Sequence, residues 1–554
     1  MTKRTARKLL AAAAVSAVAL TTACTAEPSG EDRNENEAFV FGVPDDPRTM
    51  DPVFDSGGET FRVTRQVFDT LLDHKPGGTE LEPGLAEKFT PSEDGLAYEF
   101  QLREGVTFHD GAELDGEAVC ANFDRWYNFE GAYQDSSISY YWNNLFGSFA
   151  KDERPEDQQT RQKYKGCTAD GMTATIEMNE PSANFPAAFS MATTAILSPK
   201  TLESITDDQI EAVGDPLPDY TQMEDDSVEL AGTGPFKLKE WDHGAGEVKL
   251  ERFDDYWGDP AKVKNLIFKA YDDENALKQA LESGNIHGYD LAPPAHAKEL
   301  EDAGYQVPKR DVFNILYLAF QQETSEDLGD KKVRQALAHA VNRQNIVDRI
   351  LPEGGEVATQ FMPDTVGGWS EDVATYDYDA KKAEDLLKDA GAENLKLDFC
   401  WPTDVSRPYM PSVKDIYESV KSDLEAVGVT VEEKPMEWAD YIPSTSSGEC
   451  SLYLLGWTGD FNEGYNFIGT WFDSYTEEFG MRNDEIFDKM AEADAEPDPE
   501  ARDALLAEAN VLIMDELPGL PISSSPPSMV FAEDVEPPTT SPLTQEDFAE
   551  VSFK

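Results

Sequence analysis

Between Asp379 and Leu455 the apolar residues change period repeatedly, and this limits the folds open to the chain more than any other feature. Asp379 to Gly391 begins on a capping residue and ends on a stop signal, which predicts a short helix. Leu395, Leu397 and Phe399 then alternate as in a strand. Ile416, Val420, Leu424 and Val427 return to helical spacing up to Gly428; Val429 and Val431 begin another strand, and Leu452 to Leu455 a third. Strand, helix and strand in that order predict an α/β lobe with a partly parallel sheet. Upstream, Val333, Ala336, Leu337, Ala340, Val341, Val347 and Ile350 also recur at helical spacing.

The first half reads differently. Leu96, Tyr98, Phe100 and Leu102 alternate, as do Ala174, Ile176 and Met178, with turns at Glu104-Gly105 and His109-Asp110-Gly111 between them. This pattern predicts a small antiparallel lobe. A chain of 554 residues exceeds what one core serves, so two or three lobes are expected.

The N-terminus carries its own message. Lys3, Arg4, Arg7 and Lys8 precede an uncharged stretch from Leu9 to Ala23. That stretch is shorter than the roughly 20 apolar residues a membrane span needs, and residues 1–23 match a secretory signal. Leu20-Thr21-Thr22-Ala23-Cys24 resembles a lipobox, with Thr21 where Leu is usual, so Cys24 is expected to become the lipidated first residue. Residues 24–37, rich in Glu, Asn, Ser and Gly, read as a flexible tether. The mature chain is then expected outside the cell, held by lipid to the outer face of the cytoplasmic membrane, or in the periplasm where an outer membrane exists.

Formal charge is -63, which repels nucleic acid and excludes a groove that tracks phosphates; solubility is the simpler reason for it. Beyond Cys24 the cysteines are Cys120, Cys167, Cys400 and Cys450. An even number in an exported chain favours disulfides, the pairing being open at this point, and the absence of Cys-x-x-Cys argues against zinc.

Catalytic patterns are missing. There is no Gly-x-Ser-x-Gly elbow, no His-Glu-x-x-His and no phosphate loop, and the histidines show no ligand spacing. With 109 Asp and Glu, paired carboxylates arise by chance. The chain is therefore read as not an enzyme, with no catalytic residue, metal or cofactor assigned.

Two loops carry more information. Trp401 to Tyr409 follows one predicted strand and Gly456 to Phe461 follows another. In open α/β sheets, ligands bind beyond the carboxyl ends of strands. Arg407 suits a carboxylate through its forked donors, and Asp460 suits an ammonium, so together they could hold a zwitterion.

Several motifs fall in one recognisable order. They are Phe68-Asp69-Thr70-Leu71-Leu72 with Leu81 to Glu87, Leu102 to Gly111, Gly232 to Phe236, Tyr256-Trp257, and Val333 to Leu337. From Phe39 to Val551 the chain resembles the extracellular solute-binding proteins of family five, which include dipeptide- and oligopeptide-binding proteins. The resemblance implies a mixed α/β, periplasmic-binding-protein-like fold of class II type, with two main lobes, a hinge and a small inserted lobe. Lobe I would comprise 38–67, 187–312 and 511–554, the inserted lobe 68–186, and the α/β lobe 313–510. His109 would then mark the small lobe and not the ligand pocket.

The resemblance also implies that Asp460, within Gly456-Trp457-Thr458-Gly459-Asp460, holds a peptide's α-ammonium. Arg407, within Ser406-Arg407-Pro408-Tyr409, would hold its α-carboxylate, with Trp457 and Tyr409 lining the site. This chain departs after Asp460, reading Phe461-Asn462-Glu463 where dipeptide binders tend to have Asp-Pro. Cysteines within lobes would pair, Cys120 with Cys167 and Cys400 with Cys450, since bridges across a hinge would hold it shut. The implied function is capture of short peptides by a monomer that delivers them to the permease subunits of an ABC importer. A nickel chelate, oligosaccharide or other solute remains an alternative ligand. A peptide sensor without transport, or a secreted hydrolase, remains an alternative class.

Overall fold

The computed structural model describes residues 37–135, 138–155, 159–205, 230–271 and 273–554. The expected signal, Cys24 and the tether up to Asn36 lie outside the described residues. No helix among those described is long and apolar enough to cross a membrane.

The change of period after Asp379 produces the predicted elements. Asp379 accepts the Lys382 N–H to start the helix Ala380–Ala390, and Gly391 ends it at φ 75°, a left-handed conformation that only glycine adopts without steric cost. Strand Lys396–Pro402 lies parallel to Thr430–Met436 on one side and to Leu452–Thr458 on the other. The helix Val413–Ala426 makes the crossover between the first two, burying Ile416, Tyr417, Val420 and Leu424. Asn314–Phe320, with all seven residues buried, runs antiparallel to Leu452–Thr458, and the sheet is completed by Gly519–Ser524 and Glu356–Val357.

The structure divides one stretch of helical spacing and corrects two lobe boundaries. The helical spacing from Val333 to Ile350 spans two helices, Lys331–Ala340 and Arg343–Arg349, because Val341 is extended and the Asn342 side chain caps the second by accepting the Asn345 N–H. Placing 511–554 in lobe I fails for its first part. Ile513, Met514, Leu520 and Ile522 pack in the α/β core, and Gly519–Ser524 pairs with Asn314–Phe320. That apolar segment covers a strand edge that would otherwise present unpaired backbone groups. The chain joins the other main sheet only at Val530–Phe531. Likewise Phe189, Met191 and Ile196 lie beyond 186 yet pack in the small lobe's core.

That small lobe is a four-stranded antiparallel sheet ordered Ala86–Pro91, Ala97–Leu102, Thr173–Met178 and Tyr164–Asp170. The Cys120–Cys167 bridge ties its helix Gly116–Tyr127 to its edge strand, and Cys400–Cys450 joins segments of the α/β sheet. The third sheet draws on the chain's start, middle and end. Its order is Val530–Phe531, Gly288–Tyr289, Ala38–Val43, Asn265–Ala270, Glu247–Arg252 and Phe236–Asp242.

Candidate ligand-binding site

Because Lys396–Pro402 and Leu452–Thr458 are parallel neighbours, their carboxyl ends open on the same edge of the sheet. The Arg407 and Asp460 loops therefore leave side by side. Tyr409 joins them physically. It is buried, and a Cβ placed on Gly456 would lie 2.5 Å from its Cδ2 and 2.2 Å from the Ile315 carbonyl oxygen, so only glycine allows this approach. Gly459 is similarly crowded by Phe313 and Phe467. Thr458 pairs with Asn314, and its buried Oγ1 has no partner among the described residues.

Asp460 is half-buried and held on both sides. Tyr141 Oη–H donates to Oδ1 at 2.8 Å from the small lobe, and Asn466 Nδ2–H donates to Oδ2 at 3.1 Å from the helix Gly464–Phe472. Asn466 Oδ1 in turn accepts the Asp460 N–H at 2.8 Å and the Trp457 indole N–H at 3.3 Å, which orients the whole loop. Burial pushes the Asp460 carboxyl up to about 6, against the hydrogen bonds from Asn466 and Tyr141 and the charge of Arg65. Asp460 makes no ion pair among the described residues; Arg65 acts on it only at longer range and donates to the Thr544 carbonyl at 3.5 Å.

The Arg407 guanidinium stacks on Trp438, 4.2 Å from the ring centroid. Its backbone exchanges hydrogen bonds with Met410, which tightens the loop. Its Nε is buried without a hydrogen-bond partner, and it too makes no ion pair among the described residues. A cation and an anion thus stand on adjacent loops, each held by uncharged neighbours.

The remaining predicted residues sort accordingly. Gly456, Trp457, Tyr409 and Asp460 are brought together with Arg407 at one sheet edge, while Gly459 and Thr458 shape the backbone between them. His109 lies elsewhere, bonded through its ring nitrogens to Gly232 and Gly234. Sequence reasoning missed Tyr141, Asn466 and Trp438. Only the aromatic run Tyr140-Tyr141-Trp142 hinted at the first; nothing local marked the others. Phe461, directly after Asp460, is fully buried in the small lobe's core, so the loop itself bridges two lobes. Among the described residues no group of three His, Cys, Asp or Glu could hold a metal ion.

Comparison with known proteins agrees with this architecture. A protein of Escherichia coli (strain K12) named "Dipeptide-binding protein" is 29% identical over 532 residues, covering 94% of this chain and 95% of its own length. A dipeptide-binding protein from Pseudoalteromonas solved with Met-Leu superposes with a TM-score of 0.80 at 21% identity, covering 94% of this chain and 100% of that one. A periplasmic binding protein of Helicobacter pylori solved with the peptide STSA gives 0.77 at 24% identity, over 94% of this chain and 98% of its own. Residues 80–479 match the middle region of the bacterial extracellular solute-binding proteins, family 5, and the chain belongs to that family.

Proposed function

We propose that this protein is the peptide receptor of an ABC importer, capturing short peptides between its lobes and presenting them to the permease subunits. Asp460 takes the peptide's α-ammonium and Arg407 its α-carboxylate, while Trp457 and Tyr409 flank the bound backbone. The observation that carries this reading is the pairing of opposite charges on neighbouring loops without ion-pair partners of their own. Such charges are costly to bury alone and become favourable when a ligand supplies the counter-charges. The receptor works as a monomer, performs no catalytic step, needs no cofactor, and is tethered through lipid on Cys24. Dipeptide naming among the relatives supports the ligand class.

Calorimetry tests it directly with free, N-acetylated and C-amidated di- and tripeptides. Free peptides should bind, and either block should weaken binding by about 2–5 kcal/mol, roughly thirty-fold to several thousand-fold. Equal affinity of blocked and free peptides refutes the clamp. Binding of nickel chelates or oligosaccharides in place of peptides would retain the transport role and change the solute.

A further inference from the structure

A second carboxylate stands near the clamp without a cation. Glu478 is half-buried, and the hydroxyls of Tyr317 and Tyr453 donate to its Oε1 at 3.3 and 3.2 Å. The single Tyr453 hydroxyl proton is shared with the Glu478 carbonyl at 3.1 Å, fixing the backbone beneath the side chain. Both tyrosines are fully buried on the paired central strands Asn314–Phe320 and Leu452–Thr458, so the support is rigid. Neither hydroxyl reaches Oε2, and no Lys or Arg among the described residues pairs with Glu478.

Ring contacts join its support to the clamp: Tyr317 packs edge-on against Trp471 with centroids 5.0 Å apart, and Trp471 against Trp457 of the Asp460 loop at 6.2 Å. Tyr140, on the small lobe beside Tyr141, feels the charges of both Asp460 and Glu478. Tyr441 feels both Glu478 and Tyr409, the latter being part of the Arg407 loop. Glu478 is thus linked through these rings to the Trp457 side of the clamp, and its charge reaches Tyr140 and Tyr441 beside it. Burial pushes its carboxyl up to about 7 despite the bonds from Tyr453 and Tyr317, as expected for an acid lacking a counter-charge.

We propose that Glu478, presented by Tyr317 and Tyr453, forms the floor of a side-chain subsite that selects peptides carrying a basic residue. This rests on the peptide reading above, because the clamp is what brings a side chain to that floor. A lysine or arginine side chain supplies the charge that Glu478 lacks and leaves its alkyl stem against the neighbouring rings. A glutamate side chain there would meet like charge in a desolvated place.

The test compares dipeptides with free termini that differ only in carrying norleucine, lysine or glutamate, at the first and then the second position. At one position, lysine should bind wild-type protein at least about tenfold tighter than norleucine, and glutamate about tenfold or more weaker. In Glu478→Gln, which still accepts from both tyrosines, the lysine preference should vanish while norleucine peptides keep their affinity within about threefold. Equal binding of all three side chains to wild-type protein overturns the subsite and leaves the clamp standing. So does a lysine preference that survives in Glu478→Gln. If no free peptide binds wild-type protein, the peptide reading fails and this inference falls with it. The wild-type preference is measurable even if the variant folds poorly.

Discussion

Two sets of carboxylates in this protein, one fully buried and one half-buried, face opposite surroundings. Asp290 and Glu546 share Arg310, whose guanidinium reaches Asp290 at 2.6 and 2.8 Å and Glu546 at 2.6 and 2.9 Å. Arg62 adds a further contact to Asp290 at 2.5 Å. The Arg310, Asp290 and Glu546 side chains are 0% exposed. Burial alone would raise the Asp290 carboxyl, but Arg310 and Arg62 beside it hold it below the ordinary range. Asp460 and Glu478 have only hydroxyl and amide donors, and both sit above the ordinary range. A buried charge that is fully paired fastens segments of chain together; here it joins the start, middle and end of one lobe. A buried charge supported only by neutral donors stores an unfavourable energy that a cationic ligand group can relieve. Under the proposed function, the same residue type therefore serves cohesion in one region and recognition in the other.

The sharpest way to break this comparison is to neutralise one member of each set. Arg310→Met leaves two carboxylates buried without their shared partner and should cost about 3–5 kcal/mol of stability, read by denaturant unfolding. Peptide affinity of the folded fraction should change little. Asp460→Asn should behave in the opposite way, leaving the empty protein at least as stable while weakening peptide binding by about 2–5 kcal/mol in calorimetry. Arg407→Ala should lose affinity over the same range, and C-amidated peptide should bind that variant no worse than free peptide does. If Asp460→Asn destabilises the protein as much as Arg310→Met, the two sets do not differ in kind.

What the sequence discloses follows from how local each signal is. The caps Asp379 and Gly391 act within one helical turn, so they are legible. The adjacency of the Arg407 and Asp460 loops is legible too, because strand–helix–strand order dictates which ends share an edge. Tyr141 contacts Asp460 across 319 positions, and no periodicity announces such a partner. Glu478 is one of 109 acidic residues, and only its burial between two tyrosines distinguishes it. By resemblance Gly519–Ser524 falls in the other main lobe; its membership of the α/β sheet depends on which edge needs covering. Long-range pairing, not local propensity, decided each of these.

Acid should separate recognition from cohesion by sign. The Asp460 carboxyl goes from the ordinary 3.8 in the unfolded chain to about 6 in the folded one. The folded state binds more protons between those values, so this group lowers stability as pH rises through that window. A bound ammonium needs the charged form. Affinity for a neutral-side-chain peptide should therefore hold near pH 7 and fall, by up to about tenfold per pH unit, below about 6. Arg65, Tyr141 and Tyr140 face Asp460, and none of them changes charge between pH 4 and 7. Affinity titrated by calorimetry at fixed ionic strength shows this, and Asp460→Asn should flatten the profile. A wild-type profile flat down to pH 4 removes Asp460 from the binding step.

The smallest effect expected concerns a fifth carboxylate, intermediate between the two sets. Asp494 closes the helix Asp484–Asp494, where a negative charge meets the negative end of the helix dipole. Its placement makes sense only across the lobe boundary. Lys163 Nζ reaches Oδ2 at 2.8 Å, and the Ser182 hydroxyl and Ala183 N–H donate to Oδ1 at 2.7 and 2.9 Å, all from the small lobe's side. With the side chains of Lys163 and Asp494 about 15% exposed, this is a screened but well-formed contact. It ties the α/β lobe to the small lobe through neither Arg407 nor Asp460, and it should persist when the lobes close on a peptide. Asp494→Ala should therefore weaken peptide affinity by roughly tenfold, about 1.4 kcal/mol, through faster release and not slower capture. Lys163→Met should give a smaller loss, and the double variant should add little to Asp494→Ala, because the two share one interaction. Stopped-flow release rates measure all three. Unchanged release in Asp494→Ala would mean that the contact plays no part in keeping the cleft shut.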